Sequence, residues 1–146
     1  MSDSLTIRRA RPEDIDAAAE TLAAAFQDYP WTRYVIPAQY YETRLLTLQR
    51  KYLEHALKHG IVAVEQGLSW TLETVGVRPS GQGRGLGGAL LDFGLAEARS
   101  RGASAVSLET SDPRNVALYR RHDFEVTEEH ELPGGLRLWR MISPGA

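Results

Sequence analysis

Cysteine is missing from this 146-residue chain. Its absence excludes disulfides, thiolate metal sites and a cysteine nucleophile together. A reducing, cytoplasmic location is the expected home of such a chain. Long apolar runs are missing as well; none approaches the ~20 residues that a spanning helix needs. The opening stretch MSDSLTIRRARPED lacks a basic-then-apolar layout, so neither a secretion signal nor a membrane partner is expected. Excess charge of one sign is scarce: the net charge is -2, with 25% of residues charged. That argues against a general nucleic-acid binder, which shows a strongly basic face. His55, His59 and His130 show no convincing metal-ligand spacing with a second ligand, so no metal is expected.

What remains reads as one α/β domain over residues 1–146, without repeat, low-complexity stretch or linker. Residues 6–10 are a short strand candidate. Ile15, Ala18, Ala19, Leu22 and Phe26 follow at helical spacing, so residues 12–26 predict an amphipathic helix, broken by the segment around Pro30. A second helix is predicted over 39–58, with Tyr41, Leu45, Leu48, Tyr52 and Ala56 along its apolar side and Gly60 as its cap. Residues 61–65 and 69–77 are β-rich. A third helix spans 84–101, with a predicted core face of Leu86, Ala89, Leu90, Phe93 and Ala96, and Gly102 caps it. Residues 105–110 form a strand, 115–122 a short helix, and 124–132 with 136–141 a closing hairpin around Pro133-Gly134-Gly135.

The chemistry concentrates at Gln82-Gly83-Arg84-Gly85-Leu86-Gly87-Gly88. Four glycines at the head of a helix cost about 1 kcal/mol each against alanine. A helix N-terminus leaves up to four N–H groups unpaired and carries partial positive charge, so it attracts anions. Glycine lets a phosphate approach the backbone closely, and Arg84 adds a formal charge. The plain alternative, a tight strand-to-helix turn, needs one glycine rather than four. A Walker A loop is excluded because no Gly-Lys-Ser/Thr ending follows. Gly83, Gly85 and Gly88 formally satisfy a dinucleotide fingerprint, with Glu109 as its acid. Against it, five residues separate Val77 from Gly83, and only one strand–helix–strand unit follows.

More of the chain fits a third pattern. Gln82-Gly-Arg-Gly-Leu-Gly87 has the form Gln/Arg-x-x-Gly-x-Gly, after a strand ending Val-x-Pro and before Asn115-Val-Ala-Leu-Tyr119-Arg-Arg-His-Asp-Phe124. The combination resembles the GCN5-related N-acetyltransferase (GNAT) superfamily, closely from about residue 70 to 126 and weakly elsewhere. The resemblance implies an α/β fold with a mixed, mostly antiparallel central sheet, a parallel splayed strand pair and flanking helices.

It also implies acetyl-CoA as cofactor, leaving as coenzyme A. The N–H groups from Gln82 through Gly83, Arg84, Gly85 and Leu86 to Gly87 would hold its pyrophosphate. The pantetheine arm would pair with Val75, Gly76 and Val77 as an added strand, where Gly76 would ease a bulge. Asn115 matches a position that hydrogen-bonds this arm; it also reads as a helix cap. Tyr119 matches the position that protonates the leaving sulfur, against the alternative of a packed core tyrosine. Glu73, which strand alternation places on one face with Thr71, Val75 and Val77, is the candidate base, against a structural ion pair. A backbone N–H near Val75 is the expected oxyanion donor. Without cysteine, direct attack in a ternary complex is favoured over ping-pong transfer. His122 reads as solvated or as a helix cap.

Phe26, Tyr29 and Trp31, with Tyr34, cluster where the family often forms its acceptor pocket; they read equally as ordinary core, and Phe26 more readily so. The expected partner is a small-molecule amine or peptide N-terminus, with a homodimer through the C-terminal hairpin. A non-catalytic acyl-CoA-binding sensor or assembly module is the alternative function. The chain departs from the pattern twice. Asp123 stands where the family has glycine, in a turn that asks for left-handed angles. Two strands rather than three lie between the second helix and the glycine loop, so a segment usual in the family is expected to be absent between about residues 65 and 70.

Overall fold

The computed structural model describes residues 6–59, 63–64, 69–72 and 74–144. Pro12 opens a 3₁₀ turn that leads into α1, Ile15–Ala25. A further helix, α2 (Pro30–Val35), starts on Pro30, whose fixed φ and missing N–H suit a first helical position. The proline expected only to break α1 therefore begins the next element. Then come α3 (Tyr41–His59), β1 (Ala63–Val64), β2 (Ser69–Thr71), α4 (Leu86–Ser100), β3 (Ala105–Thr110), α5 (Pro113–Arg120), β4 (Glu125–Glu131) and β5 (Arg137–Pro144).

The five strands form one sheet in the order β1-β2-β3-β5-β4. β2 and β3 are parallel and joined through α4; every other pair is antiparallel. The mixed sheet with one parallel pair is the predicted architecture. β1 and β2 pair as Ala63 with Trp70 and Val64 with Ser69, the antiparallel sense that a short link imposes. Residues 65–68, where a missing segment was expected, lie outside the described residues, as does Gly60. No third strand precedes the glycine loop among the described residues.

Three sequence expectations need correction. Residues 6–10 join no strand; Arg8 and Arg9 there pair instead with Asp14 and Glu97. The predicted strand over 69–77 ends at Thr71. Helix α4 buries Leu91, Leu95 and Ala98, not the face predicted, and Leu90 is 38% exposed. The sequence carries two apolar stripes on that helix, and only the one at i, i+4, i+7 meets the sheet. There it packs with Val106 and Leu108 of β3, Val116 and Tyr119 of α5, Phe124 and Met141.

Similarly, α3 buries Tyr41, Leu45 and Gln49, spaced four residues apart, whereas Tyr52 is 48% exposed. Of the expected apolar side, Tyr41 and Leu45 are buried and Leu48 is half-buried, but Tyr52 is exposed and a glutamine takes the next inward position. Two predicted left-handed turns are present: Gly102 at φ 89° and Asp123 at φ 66°.

Candidate active site

The site begins where β2 and β3 part. They pair from Ser69 with Ala105 to Thr71 with Ser107, and the Leu72 N–H donates to the Ser107 carbonyl at 2.8 Å. Beyond Leu72, residues 74–78 run unpaired while β3 continues to Thr110. The splay leaves strand edges open in the middle of the sheet. A cavity of about 310 Å³ fills the gap, with Thr71, Leu72, Thr74 and Val75 on one wall and Ser107 to Ser111 on the other. Neighbouring residues 74 and 75 both reach it, so strict strand alternation does not extend past the parting.

Val75 lines the cavity, but Gly76 and Val77 do not. Gly76 has no positive φ. A β-carbon there would meet Leu22, Phe26 and Ala25 of the α1 segment, so it is close packing that requires glycine. Val77 supports the glycine loop: its carbonyl accepts from Nε2 of Gln82 at 3.0 Å.

In the loop, Gly83 and Gly85 adopt φ of 79° and 75°, and Gly85 is the N-cap of α4. A β-carbon on either would meet nothing within 4 Å. Their absence of side chain thus answers to the backbone and leaves open space above it. Gly88 is different: a β-carbon would stand 3.0 Å from Nε2 of His122. That imidazole is neither solvated nor a helix cap, because its Nδ1 lies 2.7 Å from the Asp92 carboxylate. The N–H groups of residues 83–88 make no hydrogen bond among the described residues. Six free donors at a helix head beside exposed Arg84 fit a diphosphate.

From α5, Asn115 and Tyr119 enter the cavity. The helix is capped by Asp112, whose carboxylate accepts from the Arg114 N–H at 2.9 Å. Asn115 is therefore not a cap. Its Nδ2 donates to Thr110 Oγ1 at 3.3 Å, and its Oδ1 remains available to the cavity. The Tyr119 ring packs against Phe124 at 5.7 Å. Its hydroxyl forms no hydrogen bond among the described residues, and burial first, then repulsion from Tyr29, pushes its pKa up to about 12.

Phe26, Tyr29 and Trp31 form a third wall of the same cavity. Tyr29 is fixed by Thr110 Oγ1 at 2.9 Å and by the Ser111 N–H at 3.0 Å, and Trp31 stacks on Tyr34. Glu73 lies outside the described residues. Among the described ones, Glu109 is the carboxylate that lines the cavity. The sequence offered Glu109 only as the acid of a dinucleotide fingerprint and gave Gln49 no role; no local pattern distinguishes either, since β2–β3 parting and helix rotation bring them in.

A family model described as the acetyltransferase (GNAT) family matches residues 20–124. The chain belongs to this family. It is a GNAT acetyltransferase, and acetyl-CoA is its acetyl donor. Solved structures of similar fold include a histone acetyltransferase HPA2-related acetyltransferase from Corynebacterium glutamicum, 22% identical with TM-score 0.74 over 95% of both chains. A ribosomal-protein-alanine N-acetyltransferase from Brucella melitensis is 21% identical with TM-score 0.71, covering 96% of this chain and 99% of that one. PaiA N-acetyltransferase from Thermoplasma acidophilum, in complex with coenzyme A, is 13% identical with TM-score 0.71 over 94% and 96%. At these identities the likeness establishes the GNAT fold. Among the described residues, no helix of this acetyltransferase is long and apolar enough to cross a membrane.

Proposed function

We propose that the whole chain is one acetyltransferase domain that transfers acetyl from acetyl-CoA to the primary amine of a small molecule or peptide N-terminus, by direct attack in a ternary complex. The observation that carries this reading is a single cavity joining the parted strands, the Tyr119 hydroxyl and the aromatic wall of Phe26, Tyr29 and Trp31. One side suits a cofactor arm and the other an acceptor, so both substrates fit at once.

The donor supplies the acetyl group as a thioester. The Gln82 N–H, expected among the donors, is given to the Pro79 carbonyl at 3.3 Å, so residues 83–88 bind the diphosphate through backbone N–H groups, with Arg84 adding charge. The open edge at 75–77 and Oδ1 of Asn115 orient the arm, and a backbone N–H near Val75 faces the developing oxyanion. Tyr119 holds a proton throughout the physiological range and donates it towards the leaving sulfur. A phenol held at about 12 is a weak acid towards an ordinary thiolate near 8.5. Burial raises a thiolate in the same cavity in the same direction, which narrows the gap.

Glu73 takes the ammonium proton in this reading, and Glu109 is the carboxylate whose position in the cavity supports the same task. Acceptor binding falls to Phe26, Tyr29 and Trp31. The proposed location is cytoplasmic. A homodimer through the C-terminal hairpin would have to bring together edge strands carrying Glu125, Glu128, Glu129 and Glu131, so its formation would depend on salt.

The test is a panel of amines and short peptides incubated with acetyl-CoA, following release of free thiol. Thiol release that depends on an amine, with the acetylated amine recovered, is expected. Cofactor binding without transfer to any amine would contradict the reading.

A further inference from the structure

Most polar side chains of the cavity wall are already paired within the protein. Thr32 Oγ1 lies 2.8 Å from the Phe26 carbonyl and accepts from the Tyr41 hydroxyl at 3.0 Å. Tyr29 and Thr110 are bonded to each other. The Tyr119 hydroxyl, assigned above to proton donation, and Gln49 are exceptions. Gln49 occupies the inward stripe of α3 one turn beyond Leu45, is 2% exposed, and lines the cavity. Its carboxamide oxygen has no hydrogen-bond partner among the described residues, and no other buried side-chain polar atom there is in that state. Leaving such a group unpaired destabilises a fold, and a leucine on this stripe would carry no such penalty.

A ligand can supply what the protein does not. The terminal torsion of glutamine is soft, so the carboxamide turns towards the cavity at little cost. Its oxygen accepts and its nitrogen donates in one plane. An amide group complements both. An alkylamine offers donors alone, and a carboxylate offers only acceptors, which would leave the Gln49 oxygen unpaired.

We propose that Gln49 is a specificity-determining residue that hydrogen-bonds an amide of the acceptor, so that amines carrying an adjacent amide, such as aminoacyl amides and peptide N-termini, are preferred. The inference rests on the acetyltransferase reading of the same cavity and names its acceptor class.

The test compares glycinamide with isobutylamine, its hydrocarbon counterpart of similar shape, in the native chain and in Gln49→Met. The native enzyme is expected to favour glycinamide, and the kcat/KM ratio of the two amines is expected to fall at least tenfold in the variant, the effect of one buried hydrogen bond lost with its partner left unpaired. The thermal midpoint of the free protein is expected to rise, because an unpaired polar atom is removed. Gln49→Glu, which keeps the shape and loses the donor, is expected to lower the ratio in the same direction.

A glutamine that serves only the fold would give a lower midpoint and an unmoved ratio, and that result overturns the proposal. So does a native enzyme that binds coenzyme A by calorimetry yet shows no preference for glycinamide, or acetylates neither amine while acetylating others. Absence of coenzyme A binding overturns the acetyltransferase reading itself, and this inference with it.

Discussion

A β-carbon on Gly76 would stand 2.6 Å from Cδ2 of Leu22, with Cε2 of Phe26 at 3.1 Å and Cβ of Ala25 at 3.2 Å. Helix α1 thus rests directly on the segment that connects the parted strand to the glycine loop. Gly76→Ala is expected to cost about 1–3 kcal/mol through overpacking. Urea denaturation checks this, with a lower midpoint and an unchanged m-value as the expected result. The cofactor affinity of the folded variant should fall too, because the loop sits on this contact.

Gly85 and Gly87 separate what the fold needs from what a ligand needs. Gly85 is left-handed at φ 75°, so Gly85→Ala is expected to lose about 1–2 kcal/mol of stability. Gly87 has no positive φ, and its β-carbon would come no closer than 3.8 Å to Val77. Gly87→Ala is therefore expected to leave the thermal midpoint unchanged or higher, by up to about 1 kcal/mol of helix propensity. Its coenzyme A affinity, measured by calorimetry, is nevertheless expected to drop by about tenfold or more, because the added methyl intrudes on a backbone built for close approach.

Tyr119→Phe removes a hydroxyl that has no partner among the described residues while keeping the ring against Phe124. Stability is expected to stay within about 0.5 kcal/mol. Turnover is expected to fall by about 10²- to 10⁴-fold, the usual worth of a positioned proton donor. With the phenol at about 12, no alkaline loss of rate below that pH originates in Tyr119, so a limb at pH 9 or 10 should persist unchanged in Tyr119→Phe.

Asp112 caps α5 and pairs with Arg114 at 2.8 Å; that hydrogen bond first, against partial burial, lowers its pKa. A lowered folded-state pKa stabilises above the unfolded value near 3.9 and ceases to do so as the pH falls through the folded one. Arg114 is 89% exposed, so solvent screening makes the ion-pair share small. Asp112→Ala is expected to cost about 1 kcal/mol at pH 7, and Asp112→Asn, which keeps a capping oxygen, a few tenths. The gap between wild type and Asp112→Asn should close below about pH 4, as read from thermal melts across the acid range.

Much of this was legible in the chain because backbone chemistry is local. Gly102 and Asp123 announced their turns, and both glycines that are left-handed in the loop lie within the motif that the sequence singled out. Phe26, Tyr29 and Trp31 do meet Tyr119 and Asn115 in one cavity. Helix rotation was not legible: α4 presents two apolar stripes, and only tertiary contact with the sheet selects Leu91 and Leu95. The short reach of β2 was hidden as well, since TLETVGV has strand propensity along its length while the pairing partner leaves after Leu72. Gln49 escaped notice because a polar residue within an amphipathic pattern reads as surface until its helix is docked.

The most direct test is a crystal structure of the protein with bound coenzyme A. The diphosphate oxygens are expected within about 3.2 Å of the N–H groups of residues 83–88, with the pantetheine arm lying between residues 74–77 and 107–111 and its sulfur beside the Tyr119 hydroxyl. A diphosphate bound elsewhere, or an arm that leaves the parted strands empty, would contradict the account.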